Sequence, residues 1–485
     1  MKLHSLLKPF LLLLPLLTAL GHAADVPQAI DIGSRWELFV DEFLVAKRGS
    51  LALKLHEPVK QEVALVMDKP WEGPTSTYVS VVQDGGTIRL YYRGSAGGSD
   101  HSDDQVTCVA ESTDGIHFTR PSLGLIEVGG TKDNNIIWRG VESHNFAVTL
   151  DANPAAKPEE RYKALAGLKE PGKNWQEGAT PGGLFAFGSA DGLHWRKLRP
   201  DPVMTKGAFD SQNLAFWDVQ RGSYVCYSRI FTTVRAIQSS TSLDFLNWSE
   251  GTPNKYETGM RAEQFYTSAT MPCPTAPHLL LAFPKRFMSS RKKIPEHKTP
   301  GVSDAVFMSS RDGVFWDRPF REAWLRPGPD PKNWTDRNCM TAWGIVETSP
   351  IEWSLYVSEH YRSDDNRLRR VTVRKQGFAS MHADAKGGEF TTKPLRFSGD
   401  KLLLNYATSA AGTIQIEVQD QDGKAIPGFA LADMPELYGD ELAATGKWKS
   451  GADVQSLAGK TIRLRVLMRD ADLYALRLAS DSASR

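Results

Sequence analysis

Two carboxylates in this chain stand where catalysis would need them. Asp210 opens the run FDSQNLAFWD, and Glu263 stands just ahead of FYTSATMP. Each is followed by alternating apolar residues, so each heads a strand that is otherwise built for a core. A carboxylic acid and a carboxylate facing one another can share acid and base work on one bond. Glu263 is the better acid, because Phe265 and Tyr266 beside it favour the protonated form. Asp210 then serves as base or nucleophile. Glu359, beside His360, is a third catalytic candidate. For all three the competing reading is an ion pair with a nearby arginine. Around them the same strand ends offer binding groups: Arg93, His144, Asn145, Gln212, Asn213, Arg229, Tyr266, Arg286, Asn338 and His360. Tyr78, Lys285 and Arg337 occupy equivalent positions. The arginines suit a carboxylate or sulfate, which guanidinium holds bidentately, or they neutralise the acids.

Other clusters are weaker. Asp41 and Glu42 interrupt the apolar run WELFVDEFLV, and one of them must point inward if that strand is buried. Asp41 is therefore either a further carboxyl or a salt-bridged strand residue. Asp100, Asp103 and Asp104 gather hard oxygen ligands that would suit a structural calcium, or form a solvated loop. No other cofactor and no catalytic metal is expected: His144 has no companion ligand, and glycine-rich phosphate loops and the nucleophile-elbow motif are missing from the sequence.

The elements that must position these residues are strands. A corner motif recurs as STDGIHF, SADGLHW, SLDFLNW and SRDGVFW, ending at Phe118, Trp195, Trp248 and Trp316. Each copy follows a pair of alternating runs, and Asp-Gly supplies a turn with positive φ. Four copies in one relative position predict blades rather than unrelated hairpins of a sandwich. The fold expected is all-β: a five-bladed propeller over residues 25–382, closed by an N-terminal strand from WELFVDEFLV or LALKLHEPV, then a β-sandwich over 383–485. In such a ring, first-strand starts and second-strand ends meet at one axial pocket.

The 485 residues exceed one ordinary core, and 41% hydrophobic with 24% charged residues fits a globular chain. A net charge of +1 gives no reason to expect nucleic acid. Lys2 and Lys8, an apolar run and GHAA read as a signal peptide over residues 1–24, hence a secreted or periplasmic protein with no membrane span after cleavage. Cys108, Cys226, Cys273 and Cys339 read as buried small hydrophobes, with one disulfide left open.

The corner motifs and hairpins such as VVQDGGTIRLYYRG resemble those of the five-bladed propeller glycoside hydrolases, the group of arabinanases, β-xylosidases and fructan hydrolases. WELFVDEFL and FDSQNLAFWD further resemble a set of exported bacterial propeller proteins. The resemblance spans most of residues 30–380 and implies hydrolysis of a glycosidic bond in a poly- or oligosaccharide, neutral or acidic. In those hydrolases a carboxylate opens the first blade's inner strand, whereas here Ser76 and Tyr78 do. The partner of Asp210 must then be Glu263, Glu359 or the closing strand. The alternatives are a non-catalytic glycan-binding propeller, an extracellular scaffold, and glycosyl transfer to phosphate.

Overall fold

The computed structural model describes residues 28–98, 104–168, 183–451 and 453–480. The signal segment, Asp100 and Asp103 lie outside them. Five blades form the ring. The first is Thr77–Asp84, Thr87–Gly94, Val106–Ser112 and Ile136–Arg139 in antiparallel order. The second is Ala147–Leu150, Tyr162–Ala166, Phe185–Ser189 and Arg196–Lys197. The third is Leu214–Asp218, Ser223–Phe231, Arg235–Ser242 and Thr252–Pro253. The fifth is Val346–Ser349, Glu352–Glu359 and Arg367–Arg374, and its outer strand is Val59–Val66 from the N-terminal region.

The fourth blade departs from this pattern. Met271–Cys273, Ala276–Ala282 and Met308–Ser310 form a three-stranded sheet, and Lys285–Met288 pairs separately with Val302–Ala305. Pro284 lies at the break. It has no N–H to give the ladder, and its carbonyl accepts from Val306 instead. The break lets Lys285 and Phe287 turn away from the sheet and toward the ring centre.

The corner motif works as a hydrogen-bonded unit. In all four copies the serine hydroxyl donates to the aspartate, as Ser112 does to Asp114 at 2.8 Å, and Asp Oδ1 accepts the backbone N–H groups two and three residues on. The turn residue has positive φ each time, including the non-glycine Phe245 at 67°. The closing aromatic of three copies packs edge-on against the preceding blade: Phe118 on Tyr356, Trp195 on Tyr91 and Trp316 on Tyr227. Blade-to-blade contact is thus written into each corner. A Cβ on Gly192 would meet the Tyr91 hydroxyl, in a backbone region that L residues avoid (φ 76°). Gly192→Ala is therefore expected to cost about 2 kcal/mol or more, read as a lower midpoint in urea.

The chain after blade five belongs to a second β domain with its own core, which includes Phe390, Leu404, Ile416 and Val466. A two-stranded parallel sheet of Ile30–Gly33 and Leu395–Phe397 adds Ile32, Leu395 and Phe397 to this core, and an eight-stranded sheet carries most of it. Its two long strands, Lys401–Gln419 and Arg463–Ala479, change neighbours along their length, with an irregularity between Thr408 and Thr413. The runs WELFVDEFLV and LALKLHEPV enter this sheet: Glu37–Leu38 and Val45–Arg48 pair with C-terminal strands, and Ala52–Leu55 pairs with Ala379–Ala383. Ring closure falls to the next run, because Val59–Val66 has the length to follow Arg367–Arg374. Asp41 is accordingly an ion-pair residue. With Glu37 it holds Arg311 of the fourth corner, at 2.9 and 2.8 Å, and it takes no part in the axial site. All four cysteines are buried and unpaired. The described residues contain no helix long and apolar enough to cross a membrane.

Candidate functional site

At the ring centre a cavity of about 220 Å³ is lined by Asp210, Arg229, Phe231, Arg235, Tyr266, Lys285, Phe287, Thr299, Asp336, Arg337 and Arg362. Strand topology explains the convergence. Asp210, Tyr266 and Arg337 precede the inner strands of blades three, four and five, Arg229 lies near the end of blade three's second strand, and Lys285 opens the strand that follows the Pro284 break. Beneath the cavity Tyr78, Tyr266 and Met340 pack together, the two hydroxyls 3.4 Å apart, and Gln212 reaches across to donate to the Val79 carbonyl at 2.9 Å. Tyr78 has a φ of 56° next to an irregularity in its strand.

Asp210 is held from behind by a buried chain. His144 Nε2 lies 2.9 Å from Asp210 Oδ1, and Arg93 Nη1 lies 3.2 Å from His144 Nδ1. Burial, and then the Arg93 charge, lowers the imidazole to about 4, so it is neutral near pH 7. The tautomer that serves both neighbours carries its proton on Nε2, donates it to Asp210, and accepts from Arg93. Gln105 Oε1 lies 2.9 Å from the same Nδ1, so this tautomer requires the Gln105 amide to be turned over with its NH₂ group inward. Arg93 also donates to the Thr75 carbonyl at 2.6 Å and lies over the Tyr78 ring. Burial alone would raise the Asp210 carboxyl. The hydrogen bond from His144, with the charges of Arg337 and Arg229, outweighs it and holds the group below the usual carboxylate range. Arg229 Nη2 stands 3.8 Å from Asp210 Oδ2.

The second carboxylate at the cavity is Asp336. Arg362 Nε donates to it at 3.0 Å, and His297 Nε2 lies 3.4 Å away. It too is depressed, with the arginines overcoming burial. The remaining wall is cationic and aromatic. Lys285, fully buried, donates to the Asp336 backbone carbonyl at 2.9 Å and lies 3.9 Å from the centre of the Tyr266 ring. Arg229, Arg337 and Arg235 surround the same ring at 4.7, 5.2 and 5.8 Å. Burial, then the Arg337 charge, pushes the Lys285 amine well below the ordinary lysine value. Five cationic side chains thus face two carboxylates in one small cavity.

Several expected site residues lie elsewhere. Glu263 is clamped by Arg286 at 3.0 Å and Arg318 at 2.5 Å, and it lines a separate cavity with Glu257, Met260, Arg261 and Arg321. These two arginines overcome burial and keep its carboxyl low, so it is poorly suited to donate a proton. Arg286 is spent on Asp304 and Glu263. Glu359 is ringed by Lys60, Arg367 and Arg369. His360 sits between Asp330 and Asp365, at 2.7 Å from each. Asn145, Asn213 and Asn338 tie local backbone: Asn145 Nδ2 donates to the carbonyls of Gly167, Phe209 and Ser211, Asn213 to Phe209 and Ser211, and Asn338 to Lys332. Of the expected set, Asp210, Arg229 and Tyr266 line the cavity, His144 and Arg93 back it, and Gln212 helps floor it. Asp336, Arg362 and Arg235 belong to the site without having been singled out. Asp336 adjoins the Arg337–Asn338 pair in sequence, which is the one signal that could have found it. No group of three or more His, Cys, Asp or Glu able to hold a metal occurs among the described residues.

No family model and no curated protein matches the chain. Solved structures do resemble it. One is titled a glycoside hydrolase, at 10% identity and a TM-score of 0.44, covering 66% of this chain and 92% of that one. Another is an N-acetylgalactosamine deacetylase from F. plautii in complex with blood group B trisaccharide, at 14% identity and a TM-score of 0.45, covering 67% and 96%. A third is a glycosyl hydrolase from Bacteroides ovatus, at 12% identity and a TM-score of 0.37, covering 70% and 93%. Likeness at this level assigns no chemistry to the cavity.

Proposed function

We propose that the axial cavity receives an acidic unit of a glycan, a uronate or a sulfated sugar, and that the protein cleaves the adjoining glycosidic bond with Asp210 as base or nucleophile. The observation that carries this is the cavity wall: Arg229, Arg235, Lys285, Arg337 and Arg362 around two carboxylates. Guanidinium groups fixed by their own hydrogen bonds are matched to planar or tetrahedral oxyanions. The aromatic faces of Tyr266, Phe231 and Phe287 offer apolar surface to a sugar ring. Asp210 is ionised and oriented by His144, as a base must be. Asp336 takes the place that Glu263 held in the sequence reading, as the second carboxyl.

Glycan binding without bond cleavage is the second reading. It is favoured by one feature: both carboxyls at the cavity are depressed, so neither is poised as a proton donor. The chain is further proposed to be exported, on the strength of its N-terminal residues alone.

A panel of neutral and acidic mono- and oligosaccharides, scored by thermal protection, tests the acidic-substrate reading. Galacturonate, glucuronate or a sulfated galactose is expected to raise the melting temperature, and their neutral counterparts are not. Equal protection by the neutral sugars would remove the proposed role of the cations.

A further inference from the structure

The fourth blade's break at Pro284 has a second effect. Beyond Lys285–Met288 the chain runs through residues 289–300 before returning as Val302–Ala305. This segment, SSRKKIPEHKTP, borders the cavity. Thr299 is part of the cavity wall, and His297 reaches Asp336. Its base is tied down, with Gln264 donating to Ser289 Oγ at 3.0 Å and Gly301 N–H to the Arg291 carbonyl at 2.8 Å. Arg291, Lys292, Lys293 and Lys298 are all exposed, against a single carboxylate, Glu296. None of the four cations has an ion-pair partner among the described residues, whereas the equally exposed Arg48, Arg196, Arg321 and Arg326 each hold a carboxylate. In a chain whose total charge is +1, this concentration of unneutralised charge stands beside a cavity lined by five basic side chains.

Building on the acidic-unit reading above, we infer that the substrate is a polyanionic chain, and that Arg291, Lys292, Lys293 and Lys298 hold acidic units flanking the one in the cavity. The two regions divide the work. The cavity arginines are buried or half-buried and each is held by its own hydrogen bond, so they select one unit by shape. The loop cations are exposed and flexible at their side chains, so they add attraction without geometric demand, and that attraction acts only within a Debye length of roughly 8 Å at physiological salt. A neutral chain would gain nothing from the loop.

The test compares binding of short and long ligands by calorimetry, using galacturonate with an oligogalacturonate fraction and galactose sulfate with a carrageenan oligosaccharide fraction. For at least one pair the longer ligand is expected to bind the wild-type protein more tightly. Replacing Lys292→Ser, Lys293→Ser and Lys298→Ser together is expected to weaken that longer ligand by roughly ten-fold and leave the monosaccharide unchanged, because each exposed charge contributes modestly. In molar salt the advantage of length should vanish while monosaccharide binding persists. A longer ligand that binds no better than its monomer, or that binds the triple variant as well as the wild type, overturns the polyanion inference and leaves the cavity reading standing. Failure of every acidic ligand to bind the wild type overturns both.

Discussion

Asp210→Asn is expected to lower turnover by about 10²–10⁴-fold while leaving affinity for an acidic sugar unchanged or tighter. The two halves of this result have separate origins. Asparagine keeps an oxygen to accept from His144 Nε2, now 2.9 Å away, so the side chain stays in place. It cannot act as base or nucleophile, so the chemical step fails. It also removes one of two negative charges from a cavity with five cationic side chains, which favours an anionic ligand. Turnover on an acidic oligosaccharide and calorimetric affinity for its monomer measure the two halves independently. Glu263→Gln is the matched control: with its carboxylate committed to Arg286 and Arg318 away from the cavity, it should reduce stability and spare turnover. Wild-type turnover in Asp210→Asn would sink the hydrolase reading. A protein that binds acidic sugar but cleaves no glycan would leave the binding reading in its place.

Lys285→Met is expected to make the protein more stable and to abolish or greatly weaken binding of the acidic unit. The amine is fully buried, with one hydrogen bond to the Asp336 carbonyl. That carbonyl keeps a donor in the variant, since Ser303 Oγ reaches it at 3.1 Å. Methionine fills similar space without a charge to desolvate, and such replacements of buried ionic groups gain about 1–3 kcal/mol. The gain should depend on pH. The folded-state pKa of Lys285 lies below its ordinary value of 10.5, so between the two the unfolded chain binds more protons than the folded one. Wild-type stability relative to the variant therefore rises with pH through that window, and the variant's advantage is largest at its acid side. An anion bound beside Lys285 favours the protonated amine, so affinity of the wild type should gain more from a fall in pH than affinity of the variant. Urea midpoints and calorimetric affinities across pH read these effects. A variant that is less stable at neutral pH, with unchanged affinity, would mean that Lys285 is a structural residue.

The fold was legible because its strongest signal is local. Ser-x-Asp-Gly folds on itself: the serine, the aspartate and the two N–H groups it caps lie within six residues, as in Ser112 to His117. The position of Asp210 was legible for a related reason, since a polar residue at the head of an apolar strand must face something other than core. Glu263 met the same description, and its true partner, Arg318, lies 55 residues away in sequence and reaches it only through the blade's tertiary path. Strand heads therefore point to the axis without saying which carboxylate gets there. Arg362 was out of reach altogether. It follows the end of a second strand in a turn where His360 and Arg362 themselves have φ of 60° and 71°, and residues of these types give no warning of such a backbone. The ring is closed by Val59–Val66 rather than by WELFVDEFLV or LALKLHEPV, and sequence alone does not separate them, because all three runs have the composition of strands. Which of them joins the ring depends on partners more than 300 residues downstream.

The pairing of the chain's first strands with its last ones also governs how the molecule is made. Glu37 sits opposite Leu476, Leu53 opposite Met381, and Leu65 opposite Leu368. These early strands have no partner until more than 300 further residues have followed them. Blades one to three can form from neighbouring residues as they emerge, but the ring stays open and its hydrophobic early strands wait. Topologies dominated by such distant pairings fold slowly and expose unpaired edges on the way. The finished molecule gains in return, because unzipping either end requires breaking a sheet that holds both.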